Sequence, residues 1–171
     1  ALKLSGFLLR GSNYTATVDA EIDGLDSGFN VDGTASVKVD DLSRFSGLAG
    51  RDLTGAVEAE ITGTGSPLGG SFNFDLSAVA RDPSIGIKQV DNLIRGTTRL
   101  VLQAARDQEG LTIRLFNLNG TALTADAKGT VKSGDTNFSF NAKLDNLARV
   151  IPKLSGPFTI NGDATQTDTG F

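Results

Sequence analysis

Carboxylates are the side chains whose spacing comes closest to a chemical arrangement. Glu58 and Glu60, like Asp19, Glu21 and Asp23, recur at intervals of two. On a β-strand that interval sets them on one face, as an acid/base pair or a cation site would require. The run "DAEIDG" at 19–24 has the opening of a calcium loop, but the twelfth loop position is Asn30, where a bidentate Glu is needed. "GTGSPLGG" at 63–70 is glycine-rich enough to cradle a phosphate. No Lys-Ser/Thr pair follows it and no helical pattern opens behind it, so it reads as a hairpin turn. The chain has no His and no Cys, so the commonest general base, thiolate nucleophiles and structural zinc sites are all missing. The carboxylates therefore read as the wet side of strands, and the sequence indicates no enzyme, no catalytic residue, no metal site and no cofactor.

The elements that carry these residues announce themselves by a period of two. Tyr14, Ala16, Val18, Ala20 and Ile22 alternate with polar residues. The same holds for Phe29, Val31, Gly33, Ala35, Val37 and Val39, and for Leu53, Gly55, Val57, Ala59 and Ile61. Phe72 to Ala80, Leu100 to Ala104, Leu111 to Leu115, Leu123 to Val131, Phe138 to Leu144 and Leu154 to Gly162 continue it. The expectation is about nine strands with almost no helix, consistent with 21 Gly and only 4 Pro among 171 residues. In "LTIRLFNLNG" the apolar parity slips at Leu115 and Phe116, which predicts a bulge or sharp bend.

Three short interruptions share a tetrapeptide: "VDDL" at 39–42, "VDNL" at 90–93 and "LDNL" at 144–147. Each predicts a capped helical turn whose Leu tucks under the sheet. A longer echo links "LRGSNYTATVDAEI" at 9–22 to "LNGTALTADAKGTV" at 118–131. The chain reads as a single β-rich fragment, 1–171, of a longer repeat protein, with an approximate repeat at 1–105 and a partial one at 106–171.

The net charge is −4 and the basic residues are scattered, so no nucleic-acid footprint exists. Absence of Met points to a processed or excised segment. No apolar run approaches the roughly 18 to 20 residues of a membrane helix. A hydrophobic share of 39% suits strands with one apolar face.

That apolar face is unusual for its many small residues, among them Ala16, Ala20, Gly33, Ala59, Ala78, Ala127 and Gly129. Facing sheets lie about 10 Å apart, too far for such side chains to meet halfway. Two folds remain open: a twisted sandwich in which small residues meet large ones, and a long curved sheet whose apolar face is never closed. In the second, apolar chains of another molecule occupy a groove lined by Tyr14, Val18, Ile22, Phe29, Val31, Val37, Val57, Ile61, Phe72, Phe74, Leu76, Leu123, Val131, Phe138, Phe140, Phe158 and Ile160.

The succession "VDNLIRGTTRLVLQAARDQEGLTIRLFNLNGTALTADAKGTV" at 90–131, with "LSGPFTINGDA" at 154–164, resembles the repeating unit of the TamB family. That family is the inner-membrane subunit of the translocation and assembly module, in the broader AsmA-like, bridge-type lipid-transfer group. The resemblance extends over essentially the whole chain. It implies an all-β fold, a repetitive, mostly antiparallel long sheet curved into a U-shaped, taco-like apolar groove with a few short helical turns. It also implies the periplasmic portion of a protein anchored in the inner membrane of a Gram-negative bacterium. Its expected role is phospholipid transport between the membranes, linked to outer-membrane protein assembly and secretion. Its expected partners are phospholipid acyl chains, an Omp85-type (TamA-like) outer-membrane barrel reached through regions outside this chain, and outer-membrane protein substrates. Two alternatives are a scaffold that holds such substrates by strand addition at a sheet edge and an extracellular adhesin-like β-array using its outward Thr, Asn and Asp.

Overall fold

A computed structural model describes residues 1–24, 29–132 and 135–166. Its strands are β1 (Leu2–Arg10), β2 (Tyr14–Asp23), β3 (Asn30–Val39), β4 (Thr54–Ser66), β5 (Ser71–Ser84), β6 (Thr97–Arg106), β7 (Gly110–Asn119), β8 (Leu123–Lys132), β9 (Asp135–Leu144) and β10 (Phe158–Thr165). They form one ten-stranded sheet in strict chain order, β1 to β10. Every strand pairs antiparallel with its successor. Six of the nine connections are too short for a crossover to a parallel neighbour, which needs a dozen or more residues, and the three longer ones, β3–β4, β5–β6 and β9–β10, carry helical turns and still return antiparallel. At about 4.8 Å per step, ten strands stack over about 43 Å.

The sheet is open: β1 and β10 lie at opposite ends of the strand order and do not pair with each other. The fold class is thus the curved all-β sheet with a few short helical turns, and the described residues form one sheet rather than a two-sheet sandwich. The accessible surface is 10917 Å², whereas a compact monomer of 17.8 kDa would expose about 8,000 Å². Only Val39, Ala104 and Ala122 are buried apolar residues among those described.

One strand was not legible in the alternation. β1 breaks its own period, because the register slips between Leu4 and Phe7. A bulge there sends Leu2, Leu4, Phe7 and Leu9 to one face although their spacing changes parity midway. The Gly6 N–H is taken up by Asp19 Oδ1 at 2.6 Å. The expected bulge in β7 is present too, with the register slipping between Ile113 and Phe116. Two boundaries differ from expectation. β10 begins at Phe158, leaving Leu154 and Gly156 in the preceding loop, where the Leu154 N–H bonds the Ile151 carbonyl at 2.9 Å. Phe29 precedes β3 in a left-handed conformation, φ 50°, with its N–H on the Gly24 carbonyl at 2.8 Å.

The helical turns all sit on connections at one end of the strands. A 3₁₀ turn at Leu42–Phe45 and α1 (Ser46–Ala49) join β3 to β4; α2 (Lys88–Ile94) joins β5 to β6; a 3₁₀ turn at Leu147–Arg149 joins β9 to β10. Asp41 and Asn146 cap the two 3₁₀ turns, accepting from Ser43 N and Ala148 N at 2.9 and 3.0 Å. The middle segment departs from this scheme. Its Asp91 lies inside α2, accepts from Ile85 N at 2.8 Å and caps nothing after it. Asn92, at the position equivalent to the two caps, donates to the Arg149 carbonyl at 3.3 Å and ties α2 to the last turn.

The echoed stretches have the same backbone bonds. Gly11 N reaches the Tyr14 carbonyl and Gly120 N the Leu123 carbonyl, each at 2.9 Å. Asp40 N bonds Asn13 O at 2.8 Å, and Asp145 N bonds Ala122 O at 3.0 Å. The likeness extends further back than the sequence echo, since the bulge of β1 at Leu4/Phe7 falls 109 positions before that of β7 at Ile113/Phe116. β1 to β4 thus correspond to β7 to β10.

Candidate functional site: an apolar band across ten strands

In an antiparallel ladder directly opposed residues share a face, so the registers can be followed from strand to strand. One row runs Leu9, Ala16, Val37, Ala59, Ala78, Leu100, Leu118, Ala125, Ala142 and Ile160. Beside it runs Phe7, Val18, Ala35, Ile61, Leu76, Leu102, Phe116, Ala127, Phe140 and Gly162. A third is Leu4, Ala20, Gly33, Gly63, Phe74, Ala104, Ile113, Gly129, Phe138 and Ala164. Neither bulge interrupts the rows; each corrects the parity so that its strand rejoins them. No polar side chain occurs in any of the three.

Of the expected lining residues, Val18, Val37, Ile61, Phe74, Leu76, Phe138, Phe140 and Ile160 lie in these rows. Ile22, Val31, Phe72 and Val131 flank them on one side, and Tyr14, Val57, Leu123 and Phe158 on the other. Phe29 is set apart, because a residue outside the strand takes no face from the alternation. Sequence reasoning did not include Leu2, Leu4, Phe7 and Leu9, hidden by the bulge in β1, nor the β6 and β7 residues Leu100, Leu102, Ile113, Phe116 and Leu118. Leu115, which the sequence marks as the point where the parity slips, pairs with Gln103 on the other face.

The small residues have a local explanation. Gly63 lies opposite Phe74, Gly129 opposite Phe138, Gly65 opposite Phe72 and Ala127 opposite Phe140. The Phe138 ring leans over Gly129 and the Phe140 ring over Gly162, so large side chains take up part of the space their small cross-strand neighbours leave. The rings of Phe72 and Phe74 stand 5.4 Å apart, and those of Phe138 and Phe140 6.4 Å.

Only one margin of the band is covered. There Tyr14 meets Phe45 edge-on at 5.8 Å, and Thr98 Oγ1 donates to the Ile94 carbonyl at 3.0 Å. The helical turns therefore fold over the ends of the strands, and Val39 and Thr98 are buried beneath them. Away from that margin Ala104 is buried, but large side chains of the rows stay part-open: Ile61 is 38% exposed, Phe140 36% and Ile160 46%. Every residue of β1 except Leu4 is exposed.

The opposite face is polar and salt-bridged. Glu58 accepts from Arg81 at 3.2 Å and pairs with Lys38 at 3.4 Å, and these two cations hold its carboxyl below the usual range. Arg114, released by the β7 bulge, reaches two strands away to Asn73 Oδ1 at 2.7 Å and Asp75 Oδ1 at 2.8 Å. Glu58 and Glu60 thus stand on the solvated side, Glu58 inside a charge network. Asp19 spends one oxygen on a backbone N–H.

This polar face also has hollows, since a right-twisted sheet is saddle-shaped and dips on both sides. One, about 970 Å³, runs from Lys3 and Glu21 past Asp32 and Asn73 to Arg106. A second of about 510 Å³ lies over Thr17, Ser36, Glu58 and Ser77. Both have mixed linings, the first including Leu4, Ala20, Val31 and Phe72 beside its charged residues. Comparison with known proteins adds no relative: no family model, curated protein or solved structure matches the chain.

Proposed function

We propose that this chain is a length of a TamB-like, periplasmic lipid conduit, in which the apolar band shelters phospholipid acyl chains on their way between inner and outer membranes. The observation that supports this reading is the passage of three wholly apolar rows through all ten strands with no second sheet over them. Exposed apolar patches beyond a few hundred Å² mark interaction or lipid sites. An acyl chain laid across such rows gains about 0.8 kcal/mol per buried CH₂ and needs no hydrogen-bond readout. A band without polar side chains offers no fixed stopping place, which suits passage along it better than storage. Contacts with an Omp85-type barrel and with outer-membrane protein substrates belong, on this reading, to the larger protein.

The test is the lipid content of the chain purified from a Gram-negative host, read by native mass spectrometry. The reading requires bound phospholipid in the parent chain and its loss in Phe140→Asp and Ile61→Asp. Both side chains are already part-exposed, so folding is checked by an unchanged circular dichroism spectrum. A lipid-free parent chain, or equal lipid in folded variants, would defeat it.

A further inference from the structure

On the margin away from the helical turns a fourth row accompanies the three of the band. It runs Leu2, Ile22, Val31, Gly65, Phe72, Arg106, Leu111, Val131 and Thr136. Arg106 faces Phe72 on one side and Leu111 on the other, so the ladder sets it among apolar residues on the band's own face. In the four rows it is the one charged residue. As the last residue of β6 it also borders the hollow of the polar face.

This cation is exposed and unspent. Its guanidinium makes no hydrogen bond or ion pair among the described residues. The acids beside it in the β6–β7 turn are taken: Asp107 Oδ1 accepts from the Glu109 and Gly110 N–H groups at 2.8 and 3.1 Å, and Glu109 Oε2 accepts from Lys132 Nζ at 2.6 Å. Arg81, Arg114 and Arg149, by contrast, each meet a carboxylate.

The length of the strand decides what such a cation can meet. From Arg106 the apolar face of β6 continues through Ala104, Leu102 and Leu100 to Thr98, which is buried beneath the helical turns. Arg106 to Leu100 is about 20 Å along the strand. One leaflet of hydrocarbon is about 15 Å deep, half of a membrane core of about 30 Å. An acyl chain laid from the Arg106 end therefore keeps its tail on the band and its ester end at the guanidinium. The reverse direction would press a phosphate under the covered margin, where Val39 and Thr98 are already buried.

From this we infer that Arg106 is the phosphate site of the band: its planar guanidinium takes two oxygens of a glycerophospholipid whose acyl chains run along β5 to β7 toward the helical turns. The inference rests on the lipid reading and gives it a polarity. The three rows have no stopping place, and the row beside them has one.

The experiment measures calorimetric binding of three probes to the whole chain: dioctanoyl phosphatidylglycerol, dioctanoylglycerol with the same chains and no phosphate, and glycerol phosphate with no chains. Arg106→Gln should weaken phospholipid binding about fivefold, as removal of one exposed charge pair does, and leave dioctanoylglycerol binding as it was. Arg106→Lys should retain part of the difference. Lys128→Gln, opposite Ser139 on the other face, should change nothing. Unchanged phospholipid binding in Arg106→Gln, or an equal loss of both lipids, would overturn the inference and leave the lipid reading standing. Glycerol phosphate binding as tightly as the phospholipid would overturn it too, by showing a site for free anions. Failure of both lipids to bind the parent chain would defeat the lipid reading and the inference together.

Discussion

Gly63 faces Phe74 across the β4–β5 ladder, and a β-carbon on Gly63 would stand 2.7 Å from the Phe74 α-carbon. The obstacle is backbone, which cannot swing away as a flexible side chain does. Gly63→Val should therefore destabilise the sheet by about 1–3 kcal/mol, as over-packing does elsewhere. Thermal denaturation should show a drop of roughly 2–4 °C per kcal/mol for a chain of this size. Gly47 in α1 is the control, with open space around it and no left-handed backbone. Gly47→Ala should be neutral or stabilising by up to about 1 kcal/mol.

The capped turns make a second comparison possible. Asn146 Oδ1 receives the Ala148 N–H at 3.0 Å and the Gly156 N–H at 3.3 Å. Asn146→Ala removes the acceptor for both and should cost about 1 kcal/mol in urea denaturation. Asn92→Ala removes a bond between two connections and caps nothing, so a smaller loss is expected. Equal losses would mean that the tie between α2 and the last turn matters as much as the cap.

Acid should weaken the fold through groups that can be named. The Arg81 and Lys38 partners hold Glu58 low, the Glu109 and Gly110 N–H groups hold Asp107 low, and the Arg149 guanidinium holds Asp145 low. A carboxyl with a depressed folded pKa contributes stability that is complete above its unfolded value, about 4. That contribution disappears as pH falls through the lower folded value. Melting temperature should hold steady near neutrality and fall below about pH 4, with a shallower fall in Glu58→Gln. Lys132 behaves oppositely, because its bond to Glu109 raises its pKa. Its contribution is complete below the ordinary lysine value and is lost as pH rises through the elevated one. All these pairs are exposed, so added salt should flatten both limbs.

The alternation in "YTATVDAEID" sufficed to place β2, and the parity slip before Phe116 sufficed to find the bulge of β7. The same device in β1 escaped notice because Ser5 and Gly6 carry no apolar signal to betray a slip. A bulge is visible in sequence only when the residues around it are strongly typed. Phe29 failed for a related reason: its hydrophobicity continued the β3 pattern although its backbone turns the chain. The opening of α2 at Lys88 was hidden because "VDNL" looks like a cap-and-turn, and only the Asn92–Arg149 bond reveals what else that position does. The small residues could be counted in the sequence but not explained there. Their partners, such as Phe138 for Gly129, are set by register, which a single strand does not contain.

In this ladder each strand pairs only with its neighbours in the chain, one for β1 and β10 and two for the others, and the Arg114 side chain is a link that skips a strand, from β7 to β5. Such an object behaves as a zipper rather than as a globule. Tension applied between its first and last strands should open it one ladder at a time, through a series of small force steps in place of a single cooperative rupture. The bulges of β1 and β7, and the register slip between β4 and β5 at Thr54/Ala56, should mark the points where that series changes rhythm.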